Sequence, residues 1–138
     1  MNPLSRLVVV VVSLVMTQCA AAQVNISGNI SDGAGGPLTA GTVYHASNID
    51  VPHGATLTIE AGAIIKFLSP LGRLAVEGTL IANGTTSSPI ILTSISDDSA
   101  GGDTNGDGPS VGIPGSHRGI LFDSSSNNCT TSSMTVRF

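Results

Sequence analysis

The chain has 138 residues and a formal net charge of −4, with only 10% charged residues, 3% aromatic residues and no Trp. An ordinary soluble domain carries about 25% charged residues. Five scattered basic residues exclude a basic nucleic-acid binder, the lack of aromatics excludes a platform for stacking bases, and the scarcity of Glu and Lys excludes a coiled coil.

The N-terminus accounts for part of the apparent hydrophobicity. Met1–Arg6 carries one positive charge, Leu7–Met16 is apolar except for Ser13, and Thr17–Gln23 contains the run of small residues Ala20-Ala21-Ala22. This is the pattern of a secretory signal peptide over residues 1–22, cleaved near Ala22. The apolar run is too short to cross a bilayer, which takes about 20 residues. The chain is therefore expected to be exported, secreted or held at the cell surface, with no membrane span in its mature part. Cys19 leaves with the leader, so Cys129 stands alone and an internal disulfide is excluded.

Residues 23–41 are rich in Gly, Ser and Asn, with turn signals at Asp32-Gly33 and Gly35-Gly36-Pro37. They read as a flexible lead-in or N-terminal cap with one short strand near Val24–Ile26. From Thr42 onward, short apolar strands alternate with turns. The strands are expected at 43–45, 49–51, 56–59, 63–67, 73–77, 79–82 and 89–93, and β-branched residues are enriched in them. No stretch of the mature chain has a sustained helical period.

The sequence repeats internally. Leu57-Thr58-Ile59-Glu60 returns as Leu74-Ala75-Val76-Glu77 after 17 residues, and Thr56-Leu57-Thr58-Ile59 returns loosely as Thr79-Leu80-Ile81-Ala82 after 23. Periods of 20–50 residues mark repeat architectures. Three short strands and three turns fit one winding of a parallel β-helix, whose thin interior favours Leu, Ile, Val and Ala. In that arrangement Leu57, Ile59, Ala63, Ile65, Phe67, Leu74 and Val76 face inward, and Thr56, Thr58 and Lys66 face outward. A β-sandwich is the alternative, but the strand after Asn83-Gly84 starts too late for a two-residue hairpin.

The stretch Val51–Phe67, the stretch Gly78–Ser94 and the run Asp97–Gly108 leading into Gly119–Phe122 resemble the opening coils of secreted bacterial right-handed parallel β-helix proteins of the pectate-lyase-like superfamily. The resemblance covers roughly residues 42–123. It implies an all-β, right-handed parallel β-helix over 42–138, with about three coils and an acidic Gly-rich insertion at 97–118. The resembling proteins tend to carry a Trp just before the Gly-Ile strand, where this chain has His117-Arg118, so a weaker corner contact is expected there.

The insertion is the strongest candidate for chemistry. Asp97, Asp98, Asp103, Asn105 and Asp107 lie among glycines, and four of the chain's nine acidic residues are here. Asp103-Thr-Asn105-Gly-Asp107-Gly108 matches the start of a calcium loop, in which alternate oxygen ligands surround a hard cation. Pro114 stands where an EF-hand has its closing Glu, so the expectation is a solitary calcium loop or a solvated insertion.

Catalytic patterns are poor. The resemblance implies that a lyase would need a Lys or Arg base on the outer face, and Lys66, Arg73 and Arg118 are the basic residues available between 23 and 130. Lys66, Glu60, Arg73 and Glu77 are expected instead to form outward salt bridges. Their repeat relationship makes Glu60 and Glu77 equivalent turn residues rather than a glycosidase pair. His45, His53 and His117 have no zinc-site spacing. Met134–Phe138 reads as a last strand with no cap after it, which points to a truncated N-terminal fragment. The function expected is a non-catalytic structural or adhesion-type protein whose ligand is a polysaccharide or cell-surface group. The alternative is the N-terminal part of a carbohydrate-active enzyme, a polysaccharide lyase or glycosidase, whose site lies beyond Phe138.

Overall fold

A computed structural model describes residues 21–138. The expected leader, residues 1–22, lies almost wholly outside the described residues. Ten strands form in chain order: β1 (Ala22–Asn29), β2 (Thr42–Val51), β3 (Thr56–Ile59), β4 (Ile64–Phe67), β5 (Arg73–Val76), β6 (Thr79–Asn83), β7 (Ile90–Ser94), β8 (Gly119–Phe122), β9 (Thr130–Ser132) and β10 (Met134–Val136). There is no helix among the described residues, and so none long and apolar enough to cross a membrane.

Every pairing between these strands is parallel. Parallel partners cannot be joined by tight hairpins, so the chain travels away and returns between them. It does so on three fronts. The first half of β2 lies between β1 and β4, and the ladder continues through β7 to β10. The second half of β2 pairs with β5, and β5 pairs with β8. A separate sheet runs β3-β6-β9. The strands curl into a nearly closed sheet around one interior.

β2 makes the bend possible. Its register passes from Ala46↔Phe67 to Asn48↔Arg73, and Ser47 between them turns the strand from one front to the next. Two strands were expected here; the chain instead uses one long bent strand. The strand expected at 24–26 likewise extends over Ala22–Asn29.

Of the two repeat spacings, one is structural. Thr56 pairs with Thr79 and Leu57 with Leu80, which is the 23-residue spacing. The 17-residue spacing relates β3 to β5, which belong to different sheets, so it carries no equivalence. Glu60 and Glu77 are accordingly not counterparts. The next return on this front is much longer, with Ile81 opposite Thr130, and the added length contains the 97–118 insertion.

The interior follows the period-2 pattern of strands. Leu57, Ile59, Ala63, Ile65, Phe67, Leu74, Val76, Leu80, Ala82 and Leu92 are all buried in one cluster. Burying a Leu, Ile or Phe side chain contributes about 1.5–3 kcal/mol each. Ile30 and Leu38, from the segment before β2, close one end of this cluster, and Leu38 bridges to Ile59. Cys129 is a free thiol, half-buried against the core, and its Sγ accepts a hydrogen bond from the Leu80 N–H at 3.3 Å. It packs as a small apolar group.

Candidate functional site

The outer face of the β2-β4-β7 ladder positions the candidate site. One outward row contains His45, Lys66 and Thr93, paired in register, and Arg137 continues it just past β10. The sequence places Lys66 outward, and so it is. It is nevertheless fully buried, because the insertion folds back over this face. The fit is close: a Cβ on Gly101 would stand 2.8 Å from Val43 Cγ2.

Lys66 Nζ donates to the Gly102 carbonyl at 2.7 Å. Burial pushes the ammonium below its ordinary pKa, while the carboxylates of Asp98, Asp97, Asp103 and Asp107 act in the opposite direction. His45, beside it, is also lowered, by burial first and then by the Lys66 charge, and its Nε2 is buried without a partner.

Of Lys66, Glu60, Arg73 and Glu77, expected in outward salt bridges, only Arg73 forms one, and with a different partner, Asp50. The ion pairs among the described residues are Arg73–Asp50 at 3.6 Å and Arg137–Asp97 at 2.8 Å. Glu60 Oε2 instead accepts the Ala40 N–H at 3.0 Å, and Lys66 is spent on the insertion. The Arg73–Asp50 pair is about a third exposed on each side, where such pairs contribute little.

The five acidic-loop candidates separate into two groups. Asp98, Asp103 and Asp107 converge, with carboxylate oxygens within 4.8 Å of one another. Asp103 Oδ1 accepts Gly106 N–H at 2.7 Å and Oδ2 accepts Gly108 N–H at 3.0 Å, so this side chain shapes the turn. Asn105 Nδ2 donates to Asp107 Oδ2 at 2.8 Å. Ser110 N–H donates to Asp98 Oδ2 at 2.7 Å. Asp98 Oδ1 is buried and has no hydrogen-bond partner. Oxygen donors of this kind suit a hard cation such as calcium.

Asp97 does a different job. It is 1% exposed and accepts from Thr93 Oγ1 at 2.7 Å, Ser99 Oγ at 2.6 Å and Arg137 Nη2 at 2.8 Å. Burial alone would raise its carboxyl pKa. The Ser99 and Thr93 hydrogen bonds and the Arg137 charge outweigh that and hold it below the usual range. Arg137 also reaches Ser99 Oγ at 2.9 Å. The far end of the insertion is tied to the same terminal segment, since Ser116 N–H donates to the Phe138 carbonyl at 3.0 Å.

His117 fills the corner where the resemblance led to an expected Trp. Its ring stacks on Phe67 with centroids 4.8 Å apart, its Nδ1 accepts Gly119 N–H, and its Nε2 lies 3.0 Å from the Arg137 carbonyl. The ring thus replaces the expected contact with an aromatic contact of its own. An open groove of about 290 Å³, lined by Phe67, Leu68, Pro70, Ile95, Val111 and Ile113, lies between the 68–72 turn and the insertion. Ser69, Ser96 and Ser116 also line it, but no acidic or basic side chain does.

No family model matches the chain, and no curated protein or solved structure matches it either.

Proposed function

We propose that the chain belongs to an exported right-handed parallel β-helix protein, of the pectate-lyase-like kind in architecture, with a structural or adhesion-type role and a polysaccharide or cell-surface ligand. The observation that carries this reading is the use of the charged groups. Lys66 lies under the insertion, Arg73 and Arg137 are held in ion pairs, Glu60 ties down a backbone amide, and the exposed Arg118 has no carboxylate paired with it among the described residues. A lyase base must come within hydrogen-bond reach of the proton it removes. A fully buried Lys66 has no such reach. The parallel register, with Tyr44 on Val24, Ile65 on Tyr44 and Leu92 on Ile65, supports the helical winding. Binding to arrayed polysaccharides, with products assayed for new reducing ends and unsaturated sugars, tests it. Retention without cleavage is expected, and cleavage or failure to bind any of them overturns it.

The convergence of Asp98, Asp103 and Asp107 and the unpartnered Asp98 Oδ1 favour calcium as a ligand of the insertion. The ion would be held by these three carboxylates and would neutralise charge that Lys66 only partly offsets. Calcium titration by calorimetry, with Asp103→Asn/Asp107→Asn as the control, tests this. No heat and no thermal shift at millimolar calcium would sink it.

A further inference from the structure

The chain contains two Asn-Gly pairs, Asn83-Gly84 and Asn105-Gly106, and the fold treats them in opposite ways. We propose that Asn105 is a site of spontaneous deamidation and that Asn83 is protected by the sheet.

The chemistry sets the requirements. The Gly amide nitrogen attacks the Asn Cγ, the Cγ–Nδ2 bond breaks, and ammonia leaves carrying the amide proton. The succinimide so formed takes up one water and opens to aspartate or isoaspartate. The step needs an unhindered following residue and a backbone that is not locked in a strand ladder. Ile follows Asn25, Asn29 and Asn48, and its branched side chain shields the nitrogen.

Asn83 fails on rotation. It is the last residue of β6, paired with Ser132, and the Gly84 N–H donates to the Ser132 carbonyl at 2.9 Å. The space beside Gly84 is filled, since a Cβ there would stand 2.4 Å from the Ser133 carbonyl oxygen. Attack would require this end of the β6-β9 ladder to open.

Asn105 meets both requirements. It is exposed, lies in no strand, and Gly106 has nothing within 4 Å of its Cβ position. The Gly106 N–H donates to Asp103 Oδ1 at 2.7 Å, a bond within the loop rather than to a neighbouring strand. The product alters the loop. Asn105 Nδ2 now donates to Asp107 Oδ2, and deamidation replaces that donor with a carboxylate facing another carboxylate. Like charges at this distance repel, so the loop around Asp107 rearranges once the reaction has occurred.

The test is to incubate the intact chain at neutral pH and map isoaspartate and aspartate at both positions by peptide mass spectrometry. The expected result is conversion of Asn105 about tenfold or more faster than Asn83, equivalent to about 1.4 kcal/mol of barrier. In denaturant the two rates should converge, because the difference belongs to the fold. The proposal is overturned if Asn83 converts as fast as Asn105 in the folded chain, or if the two rates differ as much in denaturant as in the folded chain.

Discussion

Replacing Lys66 with Met separates the role of the charge from that of the side-chain volume. The aliphatic stem is roughly preserved, so the packing between β4 and the insertion is retained. The hydrogen bond to Gly102 is lost. A hydrogen bond from a charged donor contributes about 1.5–3 kcal/mol. The cluster of Asp98, Asp103 and Asp107 also loses the cation beneath it. Against this, the variant no longer buries an ammonium, and exchanging a buried charge for an apolar group of similar volume is often neutral overall. Both effects belong to closure of the insertion, because that segment is what covers the ammonium. The expectation is that the lost bond and the lost attraction to the carboxylates exceed the relief of desolvation, so that global stability by urea denaturation changes by about 1 kcal/mol or less while opening of the insertion rises about tenfold. An endoprotease that cuts before Asp103 and Asp107 reads that opening, because cleavage follows the open population when closing is fast. A cleavage rate equal to that of the native chain would refute the claim that Lys66 fastens the insertion.

Three further predictions follow from the same residues. His45 has a folded pKa below its ordinary 6.5, so the unfolded state binds more protons between those two values. Stability should be complete above 6.5 and fall as pH drops through the lowered value. His45→Gln should flatten this part of a thermal-midpoint profile. Phe67→Ala removes a fully buried ring that also carries the His117 stack, and should cost about 3–5 kcal/mol in urea denaturation; a cost below about 1 kcal/mol would contradict its interior position. Arg137→Ala leaves Asp97 buried on its Thr93 and Ser99 donors. Because the arginine is 34% exposed, the loss is smaller than for a fully buried pair, about 1–2 kcal/mol, and it should appear in the same denaturation assay.

The interior of this fold was legible because a strand has only two faces. Alternation placed Leu57, Ile59, Ile65, Phe67, Leu74 and Val76 inward, and each is buried. The same simplicity produced the false repeat. Leu-x-Ile or Leu-x-Val followed by Glu describes any short inward-facing strand that ends at an exposed turn. The motif therefore recurs on a different front as readily as on the next level of its own, and similarity could not say which. The 23-residue spacing held because Thr56 and Thr79 occupy the same position relative to the turns on both sides. β9 went unread for the opposite reason. Thr130, Thr131 and Ser132 are all exposed, so no apolar alternation marks them, and the strand exists only because β6 offers a free edge.

The site shows a different limit. Pattern alone gave the direction of Lys66 but could not give its surroundings, since the chain that covers it begins about 30 residues later. Composition grouped five oxygen-bearing residues by proximity in sequence, and proximity could not distinguish Asp97 from Asp98. One peptide bond separates them, and their carboxylates serve different partners. Asp97 follows a turn that points it back at Thr93 and Arg137, while Asp98 faces Ser110 across the loop. The division follows from the ladder beneath. Thr93 and Arg137 lie side by side in one outward row, and the first residue of the insertion able to reach both is the one that neutralises the arginine. That assignment leaves Asp98, Asp103 and Asp107 with Lys66 as the cation beneath them, so the state of the loop depends on a charge located in a strand the loop merely crosses.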